Sequence, residues 1–313
     1  MKIFLPPTNY VPTKQGKMKM NIVFHSSQFL LEEWQQAFEK IDASIQLHHA
    51  NTIPMAEVDC LLTWKPTITD WQSATKLRCV IYLGAGIDIN AEPLLLPTHT
   101  KILRLHDAGM KAAMCDYASY AVLHFQRRFD HFAQAQRKNQ WLHDRDYRSR
   151  ADTRIGVLGL GYLGGAVANH LHHGGYPISA WSRSLKVIAG INTYHGLDTM
   201  KDFLSQCDVL INMLPHTHET HHLLNLVRLS QLPKDAAVIS LSRGAIIDTS
   251  ALLEQLNNDH LRGAFMDVFE QEPLAKDSLL WQHPKVFITP HQSAPTQVLE
   301  AVKEARLIIQ DCG

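Results

Sequence analysis

The 313 residues carry 30 Lys+Arg against 30 Asp+Glu, with 45% hydrophobic residues. Balanced charge removes the global field that would draw the chain to nucleic acid or an anionic membrane, so the expected partner is a small molecule held by local groups. No apolar run reaches the roughly 18 residues of a membrane span, and the length exceeds what one core ordinarily fills, which predicts two domains.

The start, residues 1–19, holds only the apolar run Ile3-Phe4-Leu5 before Pro6-Pro7, too short for the core of a signal peptide; it is expected to be a disordered leader. From Asn21 to Leu105 strand-like runs alternate with helical ones: NIVFHS (21–26), SIQLHHA (44–50), VDCLLTW (58–64), CVIYLGA (79–85) and KILRL (101–105). A single long helix is predicted from Gly109 to about Lys138, with Met110, Met114, Tyr117, Ala121, His124 and Phe125 at helical spacing and no interior proline. A second alternation opens with RIGVLGLG and continues through YPISAWS (176–182), CDVLINMLP (207–215), AAVISLSR (236–243), GAFMDVF (263–269) and KVFITPH (285–291). The expected fold class is therefore α/β, with two doubly wound parallel-sheet lobes. Cys60, Cys79, Cys115, Cys207 and Cys312 are scattered singly, which fits a reduced cytoplasm and neither a disulfide framework nor a metal site.

Gly159-Leu160-Gly161-Tyr162-Leu163-Gly164 is a G-x-G-x-x-G that follows an apolar strand and opens a helical run. In that context it reads as a dinucleotide fingerprint. Gly159 permits the tight turn, Gly161 lets backbone approach a pyrophosphate, and Gly164 lets the helix pack on the strand. The alternative is a glycine-rich turn with no ligand. Cofactor choice is read at the end of the next strand, where NAD enzymes place Asp or Glu. Here the strand ends Trp181-Ser182-Arg183-Ser184, with Lys186 close behind and no carboxylate. Arg183 suits a 2′-phosphate, and Ser182 and Ser184 can add hydroxyl donors, so NADP(H) is expected, with NAD(H) as the alternative; the bland reading is a solvated arginine.

Arg243, Glu272 and His291 fall at the carboxyl ends of predicted strands or just beyond, the edge where a doubly wound sheet binds ligands. Each alone has an ordinary reading: an ion-paired arginine, a helix-start glutamate, a structural histidine. Together with LGAGID (83–88), RLHDAGM (104–110), GVLGLGYLGG (156–165), WSRS (181–184), LSRGAIID (241–248), GAFMDVFEQEPL (263–274) and SLLWQHPKVFITPH (278–291), the chain resembles the D-isomer-specific 2-hydroxyacid dehydrogenases of the glyoxylate/hydroxypyruvate reductase A type.

That resemblance implies a flavodoxin-like substrate lobe (20–105 plus 292–313) and a Rossmann cofactor lobe (106–291), with the last helix returning to the first lobe. It gives Arg243 the substrate's carboxylate and carbonyl, His291 the role of proton donor, and Glu272 that of the carboxylate paired with the histidine. Asp267 looks like the acceptor for the nicotinamide carboxamide, and Leu214 and Pro215 like part of the cofactor loop. Trp64, Ala85, Gly86 and Ile87 look like substrate contacts. The types suit the chemistry: a guanidinium fork orients a planar oxo acid, and a cation with a protonated imidazole stabilises the charge that grows on the carbonyl oxygen. The implied activity is NADPH-dependent reduction of small 2-oxo acids by a cytoplasmic homodimer. The alternatives are an NAD-linked dehydrogenase of another hydroxy acid and a non-catalytic NAD(H)-sensing protein. The histidines of 216–222 are expected to be solvated rather than to bind metal.

Overall fold

The computed structural model describes residues 20–84, 93–143 and 146–312. In chain order it contains β1 (Ile22–Ser26), α1 (Leu31–Asp42), β2 (Leu47–His49), β3 (Cys60–Trp64), β4 (Cys79–Tyr82), β5 (Lys101–Arg104), α2 (Met110–Gln126) and α3 (Phe129–Arg137). There follow β6 (Ile155–Leu158), α4 (Tyr162–His173), β7 (Ile178–Ser182), β8 (Asn192–His195), α5 (Met200–Leu204), β9 (Val209–Asn212) and α6 (Leu226–Leu229). The chain closes with β10 (Ala236–Ser240), α7 (Thr249–Asn257), β11 (Leu261–Met266), β12 (Val286–Ile288) and α8 (Val298–Cys312). It divides into two compact units, one running to Met110 and resuming at Pro295, the other Lys111–Ala294, a few residues downstream of the boundaries expected from sequence. Residues 1–19 and the expected substrate contacts Ala85, Gly86 and Ile87 lie outside the described residues.

The first unit is a five-stranded sheet in the order β2-β1-β3-β4-β5, the flavodoxin-like arrangement, with every described pairing parallel. Its central strands are apolar because a parallel sheet is covered on both faces. Trp34, Ala37 and Phe38 of α1 fall at i, i+3 and i+4 and are buried, as are Ala301, Val302, Ala305, Ile308 and Ile309 of α8. The two helices pack together, and Arg306 Nε meets Asp42 Oδ2 at 2.9 Å. Further along α8, the Glu304 carboxylate accepts backbone N–H groups of His106, Asp107 and Ala108, fixing the segment that leads into α2. β2 is shorter than the sequence suggested, because Ile45 still closes the turn after α1 by donating to Asp42 O at 3.1 Å.

The second unit is a seven-stranded parallel sheet ordered β12-β11-β10-β9-β6-β7-β8. β6, β9 and β10 are buried at every position, so their sequences read as unbroken apolar runs. The reversal of strand order lies between β6 and β9, and ligands bind such sheets outside the carboxyl ends at that point. The edge strand β8, sequence NTYH, has no apolar run and was not foreseen.

The predicted continuous helix from Gly109 to Lys138 is two helices. Arg128 breaks it in the left-handed region (φ 59°, ψ 30°). The break turns α3 so that Asp130 meets Arg262 of β11, Nε to Oδ2 at 2.9 Å, a pairing 132 residues apart that no local pattern discloses.

Candidate active site

The turn after β6 is shaped to receive a dinucleotide. Gly159 has φ 111°, and a Cβ there would stand 2.9 Å from the Met213 carbonyl carbon, so only glycine lets β6 and the chain after β9 approach this closely. A Cβ on Gly164 would lie 1.9 Å from Gly159 O, which keeps α4 pressed on the turn. At Gly161 the same test meets nothing within 4 Å, leaving open space over the backbone, and this residue caps α4 without any side-chain hydrogen bond. The first N–H groups of the helix, at Tyr162 and Leu163, thus face a site that favours an anion. The residues fit the pyrophosphate of the cofactor that the motif implies.

Around this turn the other expected cofactor positions differ in what they present. Leu214 is buried in the core, so only its backbone faces the turn, its N–H donating to Asn212 Oδ1 at 3.2 Å. Pro215 is exposed, and its carbonyl accepts from Thr220 Oγ1 at 2.7 Å. Ser182 is a correction: it is buried and its hydroxyl donates to Ser184 O at 2.8 Å, so it builds the turn instead of offering a donor outward. Arg183 and Ser184 are exposed beyond it, with Arg183 Nη1 3.1 Å from Glu219 Oε2. Lys186 donates to the Leu160 carbonyl.

On the other side of the switch point, β10, β11 and β12 present the second group. His291 lies three residues past β12, not at its end, with a backbone in the left-handed region at φ 56°. An L-residue holds that conformation only where its surroundings enforce it, and such positions concentrate at functional sites. The enforcement is visible. His291 N donates to Asp267 O at 2.8 Å, and the Asp267 carboxylate, fully buried, gathers the loop around it. Its Oδ1 accepts from Thr289 Oγ1 at 2.7 Å and Gln292 N at 2.8 Å, and its Oδ2 accepts from Ser293 N at 2.9 Å. Asp267, expected from sequence as a cofactor contact, therefore also pins the loop that carries the histidine.

His291 Nδ1 meets Glu272 Oε2 at 2.7 Å, and Glu272 Oε1 accepts from Phe269 N at 3.1 Å, so both carboxylate oxygens are engaged. The Glu272 bond directs the other ring nitrogen, Nε2, away from the carboxylate. Arg243 lies three residues past β10, in extended conformation (φ −143°, ψ 135°), and its Nη1 donates to Ser242 O at 2.6 Å. Its neighbour Gly244 sits against Phe269 so tightly that a Cβ would fall 1.9 Å from the Phe269 carbonyl carbon, which brings the Arg243 turn onto the segment that anchors Glu272. Ser293 Oγ reaches Leu241 O at 3.4 Å, tying the His291 loop to the same turn. Arg243, Glu272 and His291 thus stand on interlocked segments at one edge of the sheet.

Trp64 ends β3 in the first unit, donates from Nε1 to Gln28 Oε1 at 3.1 Å, and lays its ring against Gly84, where a Cβ would lie 2.5 Å from the ring. In the histidine-rich stretch His218 and His221 are exposed, as expected, and His216 is the exception: it is buried with Nε2 3.2 Å from His221 Nδ1, while the rings of His221 and His222 stack at 4.1 Å and His222 pairs with Glu270. Among the described residues no group of three or more His, Cys, Asp or Glu is placed to hold a metal ion.

Comparison with known proteins agrees with this geometry. Residues 120–293 match the model of the D-isomer specific 2-hydroxyacid dehydrogenase, NAD binding domain. The chain is 37% identical over 288 residues to a glyoxylate/hydroxypyruvate reductase A of Salmonella typhi, covering 90% of this chain and 92% of the relative. It superposes with TM-score 0.88 and 33% identity on a D-isomer specific 2-hydroxyacid dehydrogenase of Xanthobacter autotrophicus Py2 in complex with NADPH and MES, covering 94% of each chain. An NADPH-dependent glyoxylate/hydroxypyruvate reductase of Sinorhizobium meliloti, in complex with NADP and sulfate, gives TM-score 0.83 at 26% identity over 93% of this chain and 94% of that one. A glycine-rich turn at the switch point, a histidine–carboxylate pair on the loops that follow β11 and β12, and relatives matched along nearly their whole length lead to one statement: the chain belongs to the D-isomer specific 2-hydroxyacid dehydrogenase family.

Proposed function

We propose that the protein reduces small 2-oxo acids, glyoxylate and hydroxypyruvate among them, to 2-hydroxy acids with NADPH. The observation that carries the reading is the Glu272–His291 pair at 2.7 Å, held on one edge of a dinucleotide-binding sheet with Arg243 on an interlocked turn. Bound NADPH supplies the hydride. Arg243 grips the planar carboxylate and the carbonyl of the substrate through its guanidinium fork, which fixes the orientation of the carbonyl carbon. His291 donates the proton to the carbonyl oxygen from Nε2, the nitrogen left available by the Glu272 bond. Glu272 holds Nδ1 and so fixes the orientation of the ring. Gly159, Gly161, Tyr162, Leu163 and Gly164 hold the pyrophosphate, and Arg183 and Ser184 hold the 2′-phosphate. Asp267 fixes the His291 loop, and its Oδ2, which accepts only from Ser293 N among the hydrogen bonds observed, keeps a lone pair for the carboxamide.

By the same reading the first unit is the substrate lobe, to which Trp64 and Ala85, Gly86 and Ile87 contribute, and the second is the cofactor lobe. The exposed side chains of Phe129, Trp141 and Tyr147, 49%, 89% and 58% accessible, support a homodimer formed through the second unit. No described helix is long and apolar enough to cross a membrane, and a cytoplasmic location accords with five free cysteines. Initial rates with a panel of 2-oxo acids, each with NADPH and NADH, test the reading. Glyoxylate or hydroxypyruvate reduction with NADPH preferred is the expected result; no turnover of any 2-oxo acid with either cofactor overturns it.

A further inference from the structure

The turn after β7 carries the cation expected for a 2′-phosphate, and no carboxylate follows the strand in sequence. The fold supplies one from elsewhere. Arg183 Nη1 lies 3.1 Å from Oε2 of Glu219, which comes 36 residues later, from the chain beyond β9. The Glu219 turn is itself fixed, since Thr217 N donates to Thr220 Oγ1 at 2.8 Å and that hydroxyl donates to Pro215 O at 2.7 Å. Lys186, the other nearby cation, is engaged with the Leu160 carbonyl. The end of the second strand is where a dinucleotide-binding sheet reads the ribose 2′ position: a carboxylate there accepts from the 2′-hydroxyl and repels a 2′-phosphate, whereas an arginine does the reverse. This protein places an arginine at that position and a carboxylate against its guanidinium. The side chains of Arg183 and Glu219 are 83% and 70% exposed, so the pair can be exchanged for another partner at little cost.

We propose that Glu219 is a specificity-determining residue for the cofactor, which holds Arg183 in a resting pair, offers an acceptor to the 2′-hydroxyl of NADH, and handicaps NADPH. The inference rests on the reading of Arg183 as the phosphate-binding cation. NADPH must draw Arg183 away from Glu219 or share it, and in either case place a phosphate dianion beside a carboxylate. NADH does neither. Glu219 therefore narrows the gap between the two cofactors that Arg183 opens. An exposed ion pair is worth roughly 1.5- to 5-fold in an equilibrium constant, and the repulsion adds a comparable factor, both screened by salt.

The test is the dissociation constant of NADPH and of NADH, read from cofactor fluorescence, for the wild type, Glu219→Gln, Arg183→Gln and the double variant at low and high salt. In Glu219→Gln, NADPH should bind about three- to tenfold tighter at low salt and NADH no tighter, so the NADPH/NADH selectivity rises. That gain should shrink at high salt, and shrink again when Arg183 is already glutamine. If Arg183→Gln weakens NADPH but Glu219→Gln leaves the selectivity within twofold of wild type, the inference about Glu219 is overturned while the reading of Arg183 stands. A fall in selectivity in Glu219→Gln also overturns it, because that is the behaviour of a brace that aims Arg183 at the phosphate. If Arg183→Gln leaves NADPH affinity unchanged, the phosphate assignment fails and the role of Glu219 fails with it.

Discussion

Replacing Asp267 by asparagine tests whether the buried carboxylate holds the loop of the proton donor. The side chain keeps its shape, and one oxygen can still accept from Thr289 Oγ1 and Gln292 N, at 2.7 and 2.8 Å in the wild type. The other becomes an NH2 group facing the Ser293 N–H, which Oδ2 accepted at 2.9 Å. Two donors then face each other in a site with no solvent access. An unsatisfied buried donor costs about 1–3 kcal/mol, and loss of charge assistance weakens each of the two short bonds left at Oδ1, where Tyr117 Oη also donates at 3.5 Å, by about 1 kcal/mol. The sum, about 3–5 kcal/mol, corresponds to a fall in Tm of roughly 6–20 °C for a unit of this size. Because the same bonds hold His291 in its left-handed conformation, misplacement of the imidazole should lower kcat by about tenfold to hundredfold. NADPH affinity should fall only about two- to tenfold, for the lost carboxamide acceptor, since the glycine-rich turn that takes the pyrophosphate follows β6, across two strands from β11. Thermal unfolding, steady-state kinetics and cofactor titration of Asp267→Asn would check each figure. A variant with wild-type Tm and kcat would refute the argument and show that other contacts set the loop.

Substitution of Glu272 by glutamine keeps the side chain's size but puts a neutral amide where a carboxylate oxygen meets His291 Nδ1 at 2.7 Å, and should lower kcat about tenfold to hundredfold with NADPH still bound; a wild-type kcat would exclude Glu272 from the chemistry. His291→Gln should cost roughly 10²–10⁴-fold in kcat, with NADPH still bound in titration. Arg243→Lys keeps the charge and loses the fork, and should lower kcat/KM about tenfold to hundredfold; wild-type kcat/KM would show that another cation grips the substrate. Far from this edge, burial pushes the Asp208 carboxyl up, but hydrogen bonds from the Arg154 side chain and backbone and from Arg148 outweigh it and hold the group below the ordinary carboxylate range. A lowered group stabilises the fold above its ordinary value, about 3.9, and loses that contribution as pH falls through the lowered one. With Arg154 and Arg148 43% and 57% exposed, water recovers part of the loss, so Asp208→Asn should cost about 1–2 kcal/mol at pH 7, measured by denaturant unfolding. The gap should begin to narrow only below about pH 4 and close as pH falls through the lowered value; a gap that does not narrow as the pH is taken further down would mean the cost is packing and not charge.

What could be read from the sequence was whatever is local. The cofactor turn carries glycine at three positions of one short segment; Gly159 and Gly164 follow from steric requirements that no other residue meets, and Gly161 leaves open space over the backbone for a ligand. The buried parallel strands are unbroken apolar runs for a reason equally local, their burial on both faces. Sequence fails where a distant residue decides. Arg128 adopts a left-handed conformation that neither glycine nor proline announces, and the compensation, Asp130 to Arg262, spans 132 residues. Ser182 looked like a phosphate donor because of its position, but its hydroxyl turns inward to Ser184 O. Glu219 was invisible as a partner of Arg183 because the two meet only when β7 and β9 lie in one sheet. Asp267 was recognised by its motif, yet its grip on Thr289, Gln292 and Ser293 required the three-dimensional path of the chain after β12.

The contrast between the two halves of the site has a consequence for what evolution can change separately. Glu272 is fixed at both oxygens, by Phe269 N and by His291, and the histidine is fixed through Asp267, so the reducing geometry exists before any substrate arrives. A left-handed backbone at His291 costs of order 1–3 kcal/mol and persists because the surrounding bonds outweigh it. Arg183 and Glu219 are exposed and paired only with each other in the hydrogen bonds observed, so cofactor preference rests on charges that single substitutions can reset without disturbing the core. On the proposed reading the fixed set, in turn, addresses only the carboxylate and the adjacent carbonyl, which every 2-oxo acid possesses. Substitutions at Arg243, Glu272 or His291 should therefore slow the reduction of all such acids by a similar factor, and re-ranking of substrates must come from residues that meet the remaining side chain.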